Sequence, residues 1–259
     1  MLFRTTAAYL HRRVAARIIC TGSRKQRCAP VLRRWHRIML QEAIEKLFLE
    51  YPDAVFGFAD ISYSPYAQDY KSALVIAVPY GKQLTPETYS EQDFEDGITM
   101  ARSRMEEILA KVEELLNARD TAYYVPPLAQ NNETDLLAPF SFKYAATRAG
   151  IGWIGKNDVV ITPQYGPRIR LGVVLINALF KYGQPIVESS CPEDCRKCVD
   201  ICPCKALKDV RWDPDRLRAE IIDYHRCNRM RSAFIPKLER KSACGMCFAA
   251  CPVGIKDTE

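Results

Sequence analysis

A chain of 259 residues can hold one large domain or two modest ones, and 48% hydrophobic content with ordinary glycine and proline excludes a disordered protein. No apolar run approaches the roughly 20 residues of a membrane-spanning helix, so a soluble, cytoplasmic protein with no membrane partner is expected. The net charge of +6 is local, because residues 1–38 carry ten Lys or Arg and no acid, which leaves 27 basic against 31 acidic residues, a net of −4, for 39–259. That acidic body removes the bulk electrostatic argument for a polyanionic partner such as tRNA.

In chain order, residues 1–38 form a basic extension read as a cleaved or disordered segment or as upstream sequence translated from a start codon placed too early, with a functional basic arm as the minority alternative. Cys20 and Cys28 fall in it and receive no role. From Leu40 an amphipathic helix places Ile44, Leu47 and Phe48 on one side. The apolar stretch Ala54–Ile61 follows, and then a short β-branched run, Ala73–Val78, that suits a buried strand. Helical spacing of Ile98, Met105, Ile108, Leu109, Val112, Leu115 and Leu116 predicts a long helix over about 94–118. Ala122–Val125 reads as a strand, and the polar loop after Pro126–Pro127 leads to a second helix over about 140–149. Val159–Thr162 and Leu171–Ile176 read as two further strands. Strands interleaved with helices predict a layered α/β (α+β) domain over 39–185, with a boundary near Tyr182–Ser190 and a second domain over 186–259.

Nine of the eleven cysteines fall after residue 190. Without a secretory signal, clustered cysteines point to metal before disulfides. The first run is Cys191-x3-Cys195-x2-Cys198-x3-Cys202-Pro203; the second is Cys244-x2-Cys247-x3-Cys251-Pro252, with Cys227 between them. The bacterial ferredoxin spacing is C-x2-C-x2-C-x3-C-P, in which the fourth cysteine ligates the other cluster. Applied here, that crossover gives Cys191, Cys195, Cys198 and Cys251 to one [4Fe–4S] cluster, and Cys202, Cys227, Cys244 and Cys247 to the other. Zinc would also use cysteine quartets, but the C-x2-C-x3-C-P run favours cubane geometry over paired C-x2-C knuckles. The extra residue before Cys195 makes Cys191 the departure from pattern. Cys204 is left over as a packing residue. Asp213 as N-cap and Pro214 in the first turn predict a helix that ends near Cys227.

The densest feature ahead of the cysteines is AATRAGIGWIGKN, residues 145–157, followed by ITPQYGPRIRLG, residues 161–172. Its glycines at 150, 152 and 155 match neither a dinucleotide fingerprint nor a P-loop. Alone they read as a helix cap and turn, or as a close backbone approach to something flat or bulky.

Glycine segment, GPRIRLG and cysteine runs in this order resemble the epoxyqueuosine reductase family, particularly its shorter relatives with a double [4Fe–4S] domain, and are distantly similar to reductive dehalogenases. The resemblance implies a reductase-like domain followed by a bacterial ferredoxin-like domain with two [4Fe–4S] clusters. The clusters would feed electrons to cobalamin, which removes oxygen from the epoxide of a modified tRNA base. It further implies that Gly150, Gly152, Trp153, Gly155 and Lys156 line the cofactor side, that Arg168 and Arg170 meet phosphate or amide groups, and that a ferredoxin or flavodoxin supplies electrons. The family's catalytic aspartate motif is replaced here by Val125-Pro-Pro-Leu-Ala-Gln-Asn-Asn-Glu-Thr-Asp135. By position Asp135 is the candidate catalytic proton donor and Glu133 the second, each with a solvated loop acid as the alternative. The functional expectation is an iron–sulfur reductase, with a non-catalytic electron carrier that docks a partner enzyme as the alternative.

Overall fold

The computed structural model describes residues 38–127, 138–233 and 244–255, with backbone alone for 231–233. The basic extension, Cys20, Cys28, Glu133 and Asp135 lie outside these described residues, apart from residue 38 itself. The chain divides into two compact units, Met1–Ala43 and Ile44–Glu259. Of the first, only 38–43 are described, as the opening of a helix (α1) that runs over 38–47 and ends in a 3-10 turn, Phe48–Glu50.

The second unit is built on four strands in the order β1–β2–β6–β3, every neighbouring pair antiparallel. They are β1 (Val55–Asp60), β2 (Ser72–Pro79), β3 (Tyr123–Tyr124) and β6 (Ile169–Ile176). Register is fixed by Val55↔Ala77 to Asp60↔Ser72 on one side of β2 and by Ser72↔Ile176 to Pro79↔Ile169 on the other. Helix α2 (Glu91–Asn117) begins at Ser90, whose hydroxyl accepts from the Asp93 amide, with Glu91 and Asp93 at the positive end of the dipole. Its Met105 lies against Gly172 of β6, where an added Cβ would come within 2.3 Å of the sulfur. Helix α3 (Phe142–Arg148), capped by Ser141, covers the other face, where Ala73, Val75, Ala77, Val173 and Leu175 pack with Ala145, Ala146 and Ala149. Strand β2 is thus buried on both faces, which accounts for its continuous apolar run.

A two-stranded hairpin, β4 (Trp153–Ile154) and β5 (Val160–Ile161), leaves this body after α3. The remaining helices are short: α4 (Lys197–Ile201), α5 (Arg218–Ile221), α6 (Tyr224–Ala233) and α7 (Met246–Ala249). A helix running from Asp213 to Cys227 is not formed. Asp213 instead accepts from the Asp215 amide in a turn, Leu217 is 69% exposed, and Ile222 is extended between α5 and α6. Cys227 therefore sits in the first turn of α6, its amide donating to Asp223 O at 3.0 Å. Among the described residues no helix is long and apolar enough to cross a membrane.

Ile76 is wholly buried in β2. Ile76→Ala should cost about 2–5 kcal/mol, read as a lowered urea midpoint.

Candidate metal centre

The hairpin is shaped by its glycines. Gly150 has φ +72° and ends α3 against Gln184; Cβ atoms on Gly152 and Gly155 would come within 2.4 Å of Ile161 O and 2.3 Å of Ile161 Cδ1. The close approach these glycines permit is to β5 of their own hairpin. Trp153 and Lys156 point the same way, toward the cysteines. Trp153 packs with Ile161, Cys191 and Cys251. Lys156 is 3% exposed, and its ammonium donates to Glu193 O at 2.7 Å and Cys195 O at 3.1 Å while pairing with Asp209 at 2.9 Å. The ammonium and its Arg196 neighbour hold the Asp209 carboxyl below the usual carboxylate range.

Arg168, just ahead of β6, does for the last cysteine loop what Lys156 does for the first. Its guanidinium is buried and donates to Phe248 O at 2.9 Å, Cys251 O at 3.0 Å, and Val253 O. Asn157 reaches Cys247 O at 3.4 Å, and the Tyr89 hydroxyl donates to Cys244 O. Phe248 stacks on Tyr80 and meets Phe94 edge-on, with centroids at 6.2 Å and 5.4 Å. Backbone meets backbone at the Gly166 turn: its φ is +59°, and a Cβ there would lie 2.1 Å from Val253 O.

The thiols gather into two groups. Cys191 and Cys251 share the pocket of Trp153 and Ile161, whereas Cys202, Cys204, Cys227, Cys247 and Cys198 surround Val199, Ala206, Leu207 and Ile222. Electrostatics instead couples Cys198 to the first group. Burial pushes the Cys198 thiol up to about 12, and Cys191, Cys251 and Cys195 add to the rise. Burial raises Cys247 as well, and there the added contributions come from Cys227, Cys198, Cys244 and Cys202. Cys202 behaves differently. Burial acts to raise its thiol, but amides of Ala206, Cys204 and Leu207 and the Cys204 thiol bring it below the ordinary value. The Ala206 amide donates to its sulfur at 3.4 Å, the kind of bond that supports a thiolate ligand. Cys204 lies 3.8 Å from Cys202 in the same apolar pocket.

Thiols crowded in this way oppose one another's ionisation, and a cationic core between them reverses that cost. Among the described residues no three His, Cys, Asp or Glu side chains close around a single ion. A cubane separates its thiolates more widely than zinc does, since each sulfur binds a different iron corner. The buried Trp153 Nε1 has no hydrogen-bond partner among the described residues, and a sulfur acceptor beside Cys191 and Cys251 answers it. The donor set is of the kind that two iron–sulfur cubanes would use.

It does not fit a corrin at the glycine segment. Gly152 and Gly155 are closed by their own hairpin, and Trp153 and Lys156 are engaged with the cysteine loops. Arg170, half-buried on β6, lines a separate groove of about 200 Å³ with Tyr80, Phe142, Lys143, Pro167 and Phe248. Lys143 pairs there with Asp158 at 2.7 Å, and Arg218 takes the other carboxylate oxygen at 2.9 Å, tying α3, the hairpin and α5 together. Burial lowers the Lys143 ammonium from its ordinary value. Nothing local in the sequence announces Tyr89, Asp158 or Asp209 as partners. Tyr89 meets a residue 155 positions away, and both aspartates adopt positive φ, 59° and 60°.

No protein-family model matches the chain. The fold is similar to that of solved epoxyqueuosine reductases and reductive dehalogenases. A selenomethionine-labelled epoxyqueuosine reductase aligns with a TM-score of 0.54 and 21% identity, over 84% of this chain and 66% of that one. A catabolic reductive dehalogenase aligns with a TM-score of 0.59 and 19% identity, over 84% of this chain and 32% of that one. In sequence the chain is similar to the epoxyqueuosine reductase of Bacillus anthracis, with 33% identity over 139 residues, 53% of this chain and 36% of that protein. It is also similar to the tetrachloroethene reductive dehalogenase of Dehalobacter restrictus, with 33% identity over 121 residues, 46% of this chain and 20% of that protein. The chain thus spans about a third of the B. anthracis relative and a fifth of the dehalogenase.

The Gly166 contact is testable. Gly166→Ala should displace the Cys251 loop and reduce the iron retained after anaerobic reconstitution. Gly81→Ala carries similar backbone strain (φ +81°) but meets only the flexible end of Met100, and should retain iron as the parent does.

Proposed function

We propose that the chain is an iron–sulfur oxidoreductase of the epoxyqueuosine reductase type. In this reading one [4Fe–4S] cluster is held by Cys191, Cys195, Cys198 and Cys251, and the other by Cys202, Cys227, Cys244 and Cys247. The observation that carries it is the exchange between the runs: Cys251 packs with Cys191, and Cys202 with Cys227 and Cys247. When bound, such clusters supply electrons singly. The chain's own residues hold the loops and exclude water: Lys156 and Arg168 fix the loop carbonyls, and Trp153, Ile161, Val199 and Leu207 provide the apolar surround.

The groove bounded by Tyr80, Lys143, Arg170 and Phe248 is the proposed substrate face, since Phe248 belongs to the same short helix as Cys247. One epoxyqueuosine reductase has been solved with an epoxyqueuosine-modified tRNA-Tyr stem loop, and a reducible oxygen function such as an epoxide is the corresponding substrate class for this chain. A ferredoxin- or flavodoxin-type donor would supply the electrons. Asp135 is proposed as the proton donor. No step is routed through a corrinoid.

Anaerobic purification with iron, sulfide, zinc and corrinoid quantification tests this reading. About eight irons per chain are expected, with reduction of an epoxyqueuosine stem loop by the dithionite-treated protein. Zinc in place of iron sinks the proposal. Eight irons without bound corrinoid or substrate turnover identify a one-electron carrier instead. Cys202→Ser should damage the cluster of Cys244 and Cys247 more than the other; equal loss of both, or of neither, counts against the crossed assignment.

A further inference from the structure

Resting on the reading that the two thiol groups hold two clusters, we propose that the cluster of Cys191, Cys195, Cys198 and Cys251 has the higher reduction potential. Trp153 and Arg168 give it an indole N–H and a buried positive charge, whereas the other cluster sits beside the carboxylates of Glu91 and Glu95.

Four thiolates outweigh the charge of a cubane core, so each assembly is anionic and gains one further negative charge on reduction. Hydrogen bonds to sulfur and nearby cations therefore favour the reduced state, and nearby anions oppose it. The first pocket carries both favourable devices. Trp153 packs with Cys191 and Cys251, and its N–H is buried with no partner among the described residues. A buried donor left unpaired costs about 1–3 kcal/mol, and sulfur at that place removes the cost. Arg168 is 6% exposed, and its hydrogen bonds run to the carbonyls of Phe248, Cys251 and Val253; among the described residues no carboxylate pairs with it. A buried cation without a counter-ion is expensive, and the anionic cluster against Cys251 is its natural counter-ion. Lys156 adds a second cation to the same side, partly offset by Asp209, which Arg196 also engages.

The second pocket has the opposite sign. The loop carrying Cys244 rests on the start of α2, where a Cβ on Gly245 would meet the Phe94 ring at 2.6 Å. The Tyr89 hydroxyl donates to Cys244 O and lies within the fields of Cys244, Glu91, Glu95 and Cys247. Glu95 is 4% exposed, and Glu91 Oε1 is buried without a hydrogen-bond partner among the described residues. Carboxylates at that depth disfavour an added electron. With the two groups adjacent, a single electron settles on the first cluster, and electrons entering at the second move downhill toward the hairpin.

The test is an EPR-monitored titration of the full chain with dithionite, which gives up one electron per cluster and is itself oxidised, with no bond made or broken in the protein. Eight irons and two cubane signals in the parent establish the clusters independently of their potentials; their absence overturns the cluster reading and this inference with it. Two separate potentials are expected. Trp153→Phe, which removes the N–H and keeps an aromatic ring, should lower only the higher one. Glu91→Gln should raise only the lower one. Arg168→Met should lower the higher one and Arg168→Lys should restore it, a distinction that loop anchoring alone would not produce in a potential. If Arg168→Met sheds iron, Trp153→Phe and Glu91→Gln decide the matter. A single shared potential in the parent overturns the inference. So does iron-replete Trp153→Phe or Glu91→Gln with both potentials unmoved, or with the other cluster moved.

Discussion

Two buried cations on one short stretch of chain hold the cysteine loops in place. Lys156 follows β4 and Arg168 precedes β6, and between them they bind the carbonyls of Glu193, Cys195, Phe248, Cys251 and Val253. Loops that gather thiols cannot also form regular secondary structure, so their carbonyls need partners from elsewhere. The α/β body supplies them from 13 residues, and the geometry of both thiol groups follows from where β6 begins. Because these donors are charged and buried, each contact is stronger than its neutral equivalent and costlier to break.

The same stretch explains why its glycines are where they are. At Gly152 and Gly155 the hairpin closes on Ile161, and at Gly166 the turn meets the carbonyl of Val253. A side chain at Gly152 or Gly155 would open the hairpin, and one at Gly166 would push its turn away from the Val253 carbonyl. The glycine pattern is thus a packing requirement between two parts of one unit, which is why it resembles no phosphate-binding loop.

What the sequence made legible follows physical range. Strands β2 and β6 and helix α2 were readable because their signals are periodic and local: continuous β-branched runs and apolar residues at helical spacing. The thiol groups were readable because their cysteines lie at short spacings that survive in one dimension. The two-residue strand β4 was not, since Trp153 and Ile154 are held by pairing with Val160–Ile161 and carry no periodicity. The helix expected from Asp213 to Cys227 fails for a related reason. Asp213 caps a turn, and Ile222 turns inward to the second thiol pocket, pairing Leu207 across a bridge. Tertiary packing there overrides a local capping signal. The charges of Lys156 and Arg168 were visible, but their direction was not, because each is defined by carbonyls 37 to 85 residues away.

Burial of cations by the first thiol group and of carboxylates by the second has a consequence for how such a unit works. Two clusters of equal potential would share an electron and deliver it in either direction with equal ease. Unequal fields break that symmetry without any moving part, because they are fixed by residues whose positions the core already sets: Arg168 by β6, Trp153 by the hairpin, and Glu91 and Glu95 by the start of α2. Glu91, in the first turn, also stabilises the helix dipole, so its placement has a structural reason of its own. Direction of electron flow would then be a by-product of how the body packs under the loops.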